Sequence, residues 1–375
     1  MEQIRIRCAI VRGGTSKGIF IMKNELPSEP ALRDQVVRAI FGSPDIREIN
    51  GLGGADPLTS KLAVIGPPTK AGCDCDYVFA QVDITSPKIV WNEICGNIVS
   101  AVGPFAIDEG LVKAKEPVTT VKINCPALKP PRTLIAEIPV ANGKARVIGD
   151  YAIDGVPGTG AKIGIDWADL AGGTTGKLLP SGRVKDMLEV EGVGKVEASI
   201  IDCPNLVVYC RASDFGTKGT EGPREFDSNQ KLMKDLVAAQ DAADKLIDAK
   251  GCGIVLVAKP ADFIDHTTSN TVYAKEMDFL ARQLFMGKLH KTLGGSNTAS
   301  CGVTAKIPGT LVSEIVGDAA KRSEIRIGHP AGIITCESEV EVENCTVKVK
   351  RDMIFRTARR IMDGYVYIPK TVLDW

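Results

Sequence analysis

The chain has 375 residues, of which 44% are hydrophobic and 25% charged, ordinary proportions for a globular protein. That length exceeds one ordinary core and points to two domains. Basic and acidic residues balance at 46 each, so no net field draws in nucleic acid or an anionic membrane, and any preference for an anionic ligand has to come from a local site.

The opening residues, MEQIRIRCAIV, alternate apolar and charged positions. They lack the apolar h-region of a signal peptide, and no apolar run reaches membrane-spanning length, so the cytoplasm is the expected compartment. Residues 4–10 continue this alternation, Gly13-Gly14 follow, and Ile19-Phe20-Ile21-Met22 read as a returning strand. The pattern is a β-hairpin with a glycine-rich turn. Leu32, Val36, Val37, Ile40 and Phe41 then form one helical stripe, with Pro30 at its start and Gly42 at its end. Thr59-Ser60-Lys61 lies between a glycine-rich loop, residues 51–57, and the strand-like Leu62-Ala63-Val64-Ile65. Cys95-Gly96-Asn97 opens the run IVSAVGPFAI, apolar on nearly every side and therefore expected as a helix buried all round.

Residues 155–195 are rich in glycine, threonine and lysine, and the domain crossing is expected near 185, giving halves 1–185 and 186–375. The C-terminal segment is expected to be free to pack back on the first half. KVEASII, the turn Asp202-Cys203-Pro204-Asn205 and LVVYC repeat the hairpin, and a helix over residues 229–249, closed by Gly251, repeats the covering helix. Met277, Leu280, Ala281, Leu284 and Phe285 follow helical spacing, which predicts a helix over 276–286 capped by Gly287. Cys301-Gly302 opens VTAKI, expected as the second buried helix. The chain thus reads as a duplicated unit: sheet, covering helix, then a buried central helix reached through Cys-Gly.

Eleven cysteines are scattered without any C-x-x-C; Cys73 and Cys75, the one close pair, have no matching partners for a structural zinc site. Most are expected as reduced, buried small residues. Gly14-Thr15-Ser16-Lys17-Gly18 matches the G-x-S-x-G nucleophile elbow, but that motif needs a helix after its serine, and here a strand follows. With three histidines in the chain, His266, His290 and His329, a hydrolase triad is not supported. Gly172-Gly173-Thr174-Thr175-Gly176-Lys177 lacks P-loop spacing. Lys61 is either a solvated lysine or a desolvated amine able to act as a carbon-acid base. Cysteines at helix starts favour thiolates, and the N–H groups beside them can cradle a carboxylate. Two such positions suggest a thiol on each wall of a cleft.

RGGTSKGIF (12–20), GGADPLTSK (53–61), ICGN (94–97), GHPAG (328–332) and RTARRIMDGYVYIP (356–369) resemble the PrpF-type branch of the diaminopimelate-epimerase-like α+β fold. In that fold each of two pseudo-symmetric halves wraps a sheet around a central helix, with the active site between them. The resemblance implies a cofactor-free isomerase that shifts an allylic proton in an unsaturated di- or tricarboxylate. It favours 3-methylitaconate going to 2,3-dimethylmaleate, with 2-methylaconitate and 4-oxalomesaconate as alternative substrates. The catalytic roles it implies fall on Lys61, Ser16 and Cys95, and more loosely on Cys301. Thr15, Lys17, Ser60, Gly96, Asn97, Ser300, Gly302 and His290 are the expected substrate contacts, and Arg12 would add positive field. A single base at Lys61 and a Cys95/Cys301 thiol pair both remain open. So do a two-cysteine amino-acid epimerase and a non-catalytic carboxylate binder; a pyridoxal-phosphate enzyme with Lys61 as Schiff base is disfavoured, lacking a phosphate-binding signature. No metal, nucleic-acid or membrane partner is expected, and a homo-oligomer is the default assembly.

Overall fold

The computed structural model describes residues 2–343 and 346–373. The chain divides into two compact units, residues 1–165 with 356–375, and residues 166–355.

In unit 1 the sheet runs, neighbour by neighbour, through Ala358–Pro369, Gln3–Gly13, Ser16–Met22, Lys61–Gly66, Cys75–Val82, Val118–Cys125 and Arg132–Ala141. Two of these pairings are parallel, Gly18 with Lys61 and Cys75 with Ile123. Parallel neighbours need a crossover, and each crossover here carries a helix. The first is Pro30–Phe41, with Pro30 at its start and Gly42 left-handed (φ 76°) at its end. It buries Val36, Val37, Ile40 and Phe41 against Ile19, Ile21, Leu62 and Val64. The second is the helical run Ile98–Ala101 and Val102–Asp108, nearly all of it buried on the other face. Strand alternation separates the two faces: Ile19 and Ile21 meet the outer helix, while Phe20 meets Phe105 of the inner run with ring centroids 5.4 Å apart.

Unit 2 repeats this order. Asp186–Val190, Gly194–Asp202, Leu206–Arg211, Gly253–Ala258, Phe279–Phe285, Glu324–His329, Gly332–Glu343 and Thr346–Arg356 follow one another across its sheet. The parallel pairings again come third to fourth and fifth to sixth, counting from Asp186–Val190. The crossover helices are Gln230–Ile247, outside, and Gly295–Lys306, buried. Val208 and Cys210 face the outer helix, whereas the Tyr209 hydroxyl donates to Ser300 Oγ of the buried one at 2.7 Å.

Three expectations are corrected. Residues 276–286 are not a helix: Phe279–Phe285 is a strand between Gly253–Ala258 and Glu324–His329. It is buried on both faces through Leu284, and such a run fits helical and strand periodicity alike until its neighbours are known. Met286 (φ 49°) and Gly287 (φ 73°) supply the two left-handed positions of a tight hairpin turn. The second buried helix starts at Gly295, so Cys301 and Gly302 lie in its middle. Its first turns are polar yet buried, with Asn205 Nδ2 donating to Ser296 Oγ (2.7 Å) and Asn297 Oδ1 (3.0 Å), and this hides them from an apolar periodicity. The units divide at Ile165/Asp166 rather than near 185, with 356–375 in unit 1. The later part of the glycine-rich segment, residues 171–182, belongs to unit 2, where it wraps one carboxylate. Asp202 Oδ2 accepts from Thr174 N (2.9 Å), Thr175 N (2.6 Å) and Thr175 Oγ1 (2.8 Å).

Gly302 shows how closely the buried helix lies on its sheet: a Cβ there would stand 2.3 Å from Ser338 Oγ and 2.6 Å from Cys336 Sγ. Ser338 Oγ in turn donates to Asp352 Oδ1 at 3.0 Å, while Asp352 Oδ2 has no hydrogen-bond partner among the described residues. Burial lifts this carboxyl to about 8, against the lowering effect of the Ser338 hydrogen bond. The folded chain therefore holds a proton that the unfolded chain has released at neutral pH. That contribution to stability is complete below the unfolded carboxyl value of about 4 and is lost as pH rises to about 8. Asp352→Asn is expected to flatten the fall in melting temperature across this window, measured by thermal denaturation from pH 5 to pH 8; an unchanged slope would refute the assignment.

The ten described cysteines are free thiols, and the eleventh, Cys345, lies outside the described residues. Among the described residues no helix is long and apolar enough to cross a membrane.

Candidate active site

The hairpin of unit 1 turns at Gly14-Thr15, between the paired residues Gly13 and Ser16. From Ser16 onward alternate residues point the same way, so Ser16, Gly18 and Phe20 share the face that meets the inner helix. Lys61 pairs with Gly18 in the parallel register and projects to that face too. Gly18 makes the approach possible: a Cβ there would come within 2.9 Å of Lys61 O and 3.0 Å of Ile98 Cδ1. Cys95 lies just ahead of the inner helix, its carbonyl accepting from Val99 N at 3.0 Å.

These three elements bring Lys61 Nζ to 3.3 Å from Cys95 Sγ. Both side chains are buried, and the ammonium also stands 5.4 Å from the Phe79 ring centroid. Ser16 Oγ is buried on the same face without a hydrogen-bond partner among the described residues. A buried amine and thiol in contact share an exchangeable proton, and an unpartnered hydroxyl on the same face is held at a cost that a polar ligand would offset.

A clamp orders the loop above. Asn97 Nδ2 donates to Thr15 Oγ1 at 3.1 Å, and Asn97 Oδ1 accepts from Thr15 N (3.4 Å) and from Nε of the buried Arg356 (3.1 Å). Gly14 has no room for a Cβ, which would meet Asn97 Oδ1 at 2.3 Å. Arg12 donates to Gly14 O (2.9 Å) and to Thr357 O (2.8 Å). The role of Arg356 was hidden in the sequence because nothing near residue 356 signals contact with residue 97. Its presence in the RTARRIMDGYVYIP motif was the available clue.

Other expected site residues are placed differently. The N–H groups of Gly14 and Lys17 are taken by Thr357 O and Leu58 O, each at 3.0 Å. Lys17 alternates to the face opposite Ser16. The Ser60 hydroxyl donates to the buried carboxylate of Glu48. Gly96 precedes Asn97 at the head of the inner run, beside Cys95. In unit 2, Cys301, Ser300 and Gly302 lie inside a helix, and burial pushes the Cys301 thiol up to about 12, against a lowering contact from Tyr209. Such a thiol, away from the helix start, lacks the dipole that would favour its thiolate. His290 Nδ1 accepts from Thr292 N at 3.1 Å, and His329 Nδ1 from Ala331 N at 3.1 Å. The strand equivalent to Lys61–Gly66 reads GIVLVA and carries no charge. Among the described residues no group of three His, Cys, Asp or Glu side chains is placed to hold a metal ion.

The duplicated sheet-and-buried-helix plan defines the class as a diaminopimelate-epimerase-like α+β protein. A hydroxyproline epimerase from Agrobacterium vitis shares that fold alone, with a TM-score of 0.56 at 10% identity over 98% of this chain and 93% of its own. The family model described as PrpF protein matches residues 3–369. The chain is 46% identical to 3-methylitaconate isomerase of Eubacterium barkeri, covering 99% of each. It is 35% identical to 2-methyl-aconitate isomerase of Shewanella oneidensis, covering 98% of each. A crystal structure of methylitaconate-delta-isomerase superposes with a TM-score of 0.86 at 45% identity, over 100% of this chain and 98% of that one. The chain belongs to the PrpF family, and it is an isomerase.

Proposed function

We propose that the protein converts 3-methylitaconate to 2,3-dimethylmaleate, with the Lys61–Cys95 pair moving the proton. The observation that carries this is the 3.3 Å contact between a buried amine and a buried thiol, on the sheet face that also carries the unpartnered Ser16 hydroxyl. The reaction removes the proton from C3, which is both allylic and next to a carboxylate, and returns one to the methylene carbon. Between these steps the negative charge is spread over a dienolate. With its proton on Cys95, Lys61 is a neutral amine that can accept the C3 proton; with it on Lys61, Cys95 is a thiolate that can do the same. One base that takes and returns the proton on a single face needs no second thiol. Ser16 donates a hydrogen bond to a substrate carboxylate or to the dienolate, where a preorganised donor contributes about 3 kcal/mol. The pair and its hydroxyl supply base, acid and donor without a metal or redox group.

The substrate rests on the 46% identity to a 3-methylitaconate isomerase, against 35% to a 2-methyl-aconitate isomerase. A two-thiol epimerase has less support, because Cys301 lies in a helix interior, fully buried. A cytoplasmic, homo-oligomeric enzyme completes the reading, supported by the ten free thiols and by the prevalence of symmetric homo-oligomers. The test is incubation with 3-methylitaconate, 2-methylaconitate or 4-oxalomesaconate in D₂O, followed by NMR. The expected result is isomerisation to 2,3-dimethylmaleate, with solvent deuterium entering the new methyl group to the extent that the proton held by the Lys61–Cys95 pair exchanges before it is returned. Turnover of only one of the other acids would overturn the substrate, and no isomerisation of any would overturn the reaction.

A further inference from the structure

Glu48 is an acid that nothing in the loop sequence REINGLGGADP marks as special, yet its side chain is 1% exposed. Among the described residues no cation pairs with it. Its Oε2 accepts from Ala55 N at 2.7 Å and from Ser60 Oγ, while Oε1 is buried without a partner. Ser60 Oγ also accepts from Gly54 N at 3.4 Å. The surroundings are shaped to this carboxylate. A Cβ on Gly53 would stand 2.1 Å from Glu48 Cδ, and one on Gly54 would stand 2.1 Å from Thr59 Oγ1. Glu48 itself is held left-handed at φ 46°, a conformation disfavoured for a residue with a side chain. A buried charge, a strained backbone and two glycines without room for a methyl group all serve one loop. A solvated loop would need none of them.

What the loop delivers is Lys61. Ser60 immediately precedes it, and neighbouring residues of an extended chain project to opposite sides. Glu48 therefore grips the back of the strand start while the Lys61 side chain leaves from the front toward Cys95. The peptide between them is fixed from a second direction, because Gln81 Nε2 donates to Ser60 O (3.1 Å) and to Pro57 O (3.2 Å). Resting on the assignment of Lys61 as part of the base, we infer that Glu48, acting through Ser60, is a positioning residue that sets the Lys61–Cys95 contact.

Ser60→Ala, Glu48→Ala and Glu48→Gln test this, with kcat and KM toward 3-methylitaconate measured at a temperature where circular dichroism shows each variant folded. A second readout needs no substrate: the pH dependence of Cys95 alkylation by iodoacetamide, followed by mass spectrometry of the Cys95 peptide. Ser60→Ala and Glu48→Ala are expected to lower kcat about 10- to 100-fold with KM little changed, as misplacement of a reacting group does. They are also expected to displace the alkylation profile, as loss of the ammonium beside the thiol would. Glu48→Gln, whose carbonyl oxygen can still accept from Ala55 and Ser60, is expected to retain most of both properties.

Wild-type kcat and a wild-type alkylation profile in folded Ser60→Ala would overturn the proposal, and this variant decides alone if Glu48→Ala does not fold. Loss in Glu48→Gln as deep as in Glu48→Ala would overturn anchoring by hydrogen bonds. If the wild-type protein turns over none of the three acids, the functional reading fails, while the alkylation profile still judges the positioning role.

Discussion

Lys61→Ala is expected to lower kcat/KM for 3-methylitaconate about 10²- to 10⁴-fold, the range over which a positioned proton-transfer group contributes. The loss should fall on kcat, because Lys61 meets Cys95 inside the protein rather than projecting as a free surface cation. The same substitution removes the ammonium 3.3 Å from Cys95 Sγ. Alkylation of Cys95 at a given pH should then be slower, because the thiol loses its neighbouring amine. Steady-state assays of isomerisation and exchange in D₂O check the first effect, and peptide-resolved alkylation checks the second. Near wild-type turnover in a folded Lys61→Ala protein would remove Lys61 from the mechanism.

The second expected result separates the two cysteines. Cys95→Ala should lose about 10²-fold or more in kcat, since it deletes the partner that shares the Lys61 proton. Cys301→Ala should keep kcat within about twofold and cost stability on the order of 1 kcal/mol, as an ordinary core substitution does. The difference follows from position: Cys95 precedes its helix, whereas Cys301 sits inside one with its thiol pushed up to about 12. Equal losses in kcat for both variants would restore a two-thiol mechanism in place of the one proposed. Iodoacetamide should accordingly label Cys95 well before Cys301.

Where local pattern and tertiary demand agreed, the sequence was enough. The first hairpin, the helix between Pro30 and Gly42, the second hairpin at 194–211 and the long amphipathic helix ending near Ile247 each carry their own periodicity and punctuation. An outer helix or a half-exposed hairpin displays one apolar face, so its period survives in the residue order. Buried elements erase that signal. Phe279–Phe285 is apolar enough on both sides to mimic a helix, and the helix Gly295–Lys306 begins with buried Ser, Asn and Thr side chains that look like a loop. The error at Cys301 followed directly. Polar first turns of this kind look like loop, so the apolar pattern begins only at Cys301, in the middle of the helix.

The site divides in the same way. Lys61, Ser16 and Cys95 were legible as residue types in their motifs, whereas the chemistry proposed for them depends on one contact of 3.3 Å between Lys61 and Cys95 that no spacing along the chain encodes. That contact follows from the parallel register of Gly18 with Lys61 and from the inner helix packed on their shared face. Ser60, expected to meet substrate, instead holds Glu48, and the acid it holds carried no signal because a carboxylate in a loop is ordinarily solvated. The sequence by itself determined the duplicated α+β plan and singled out Lys61, Ser16 and Cys95 as candidates, since both are written in local pattern and motif. Only the tertiary structure decided that the lysine and thiol meet in unit 1, while its unit 2 counterpart strand is apolar. Burial and strand register bring distant residues together through long-range packing, and no local preference along the chain specifies which of them will meet.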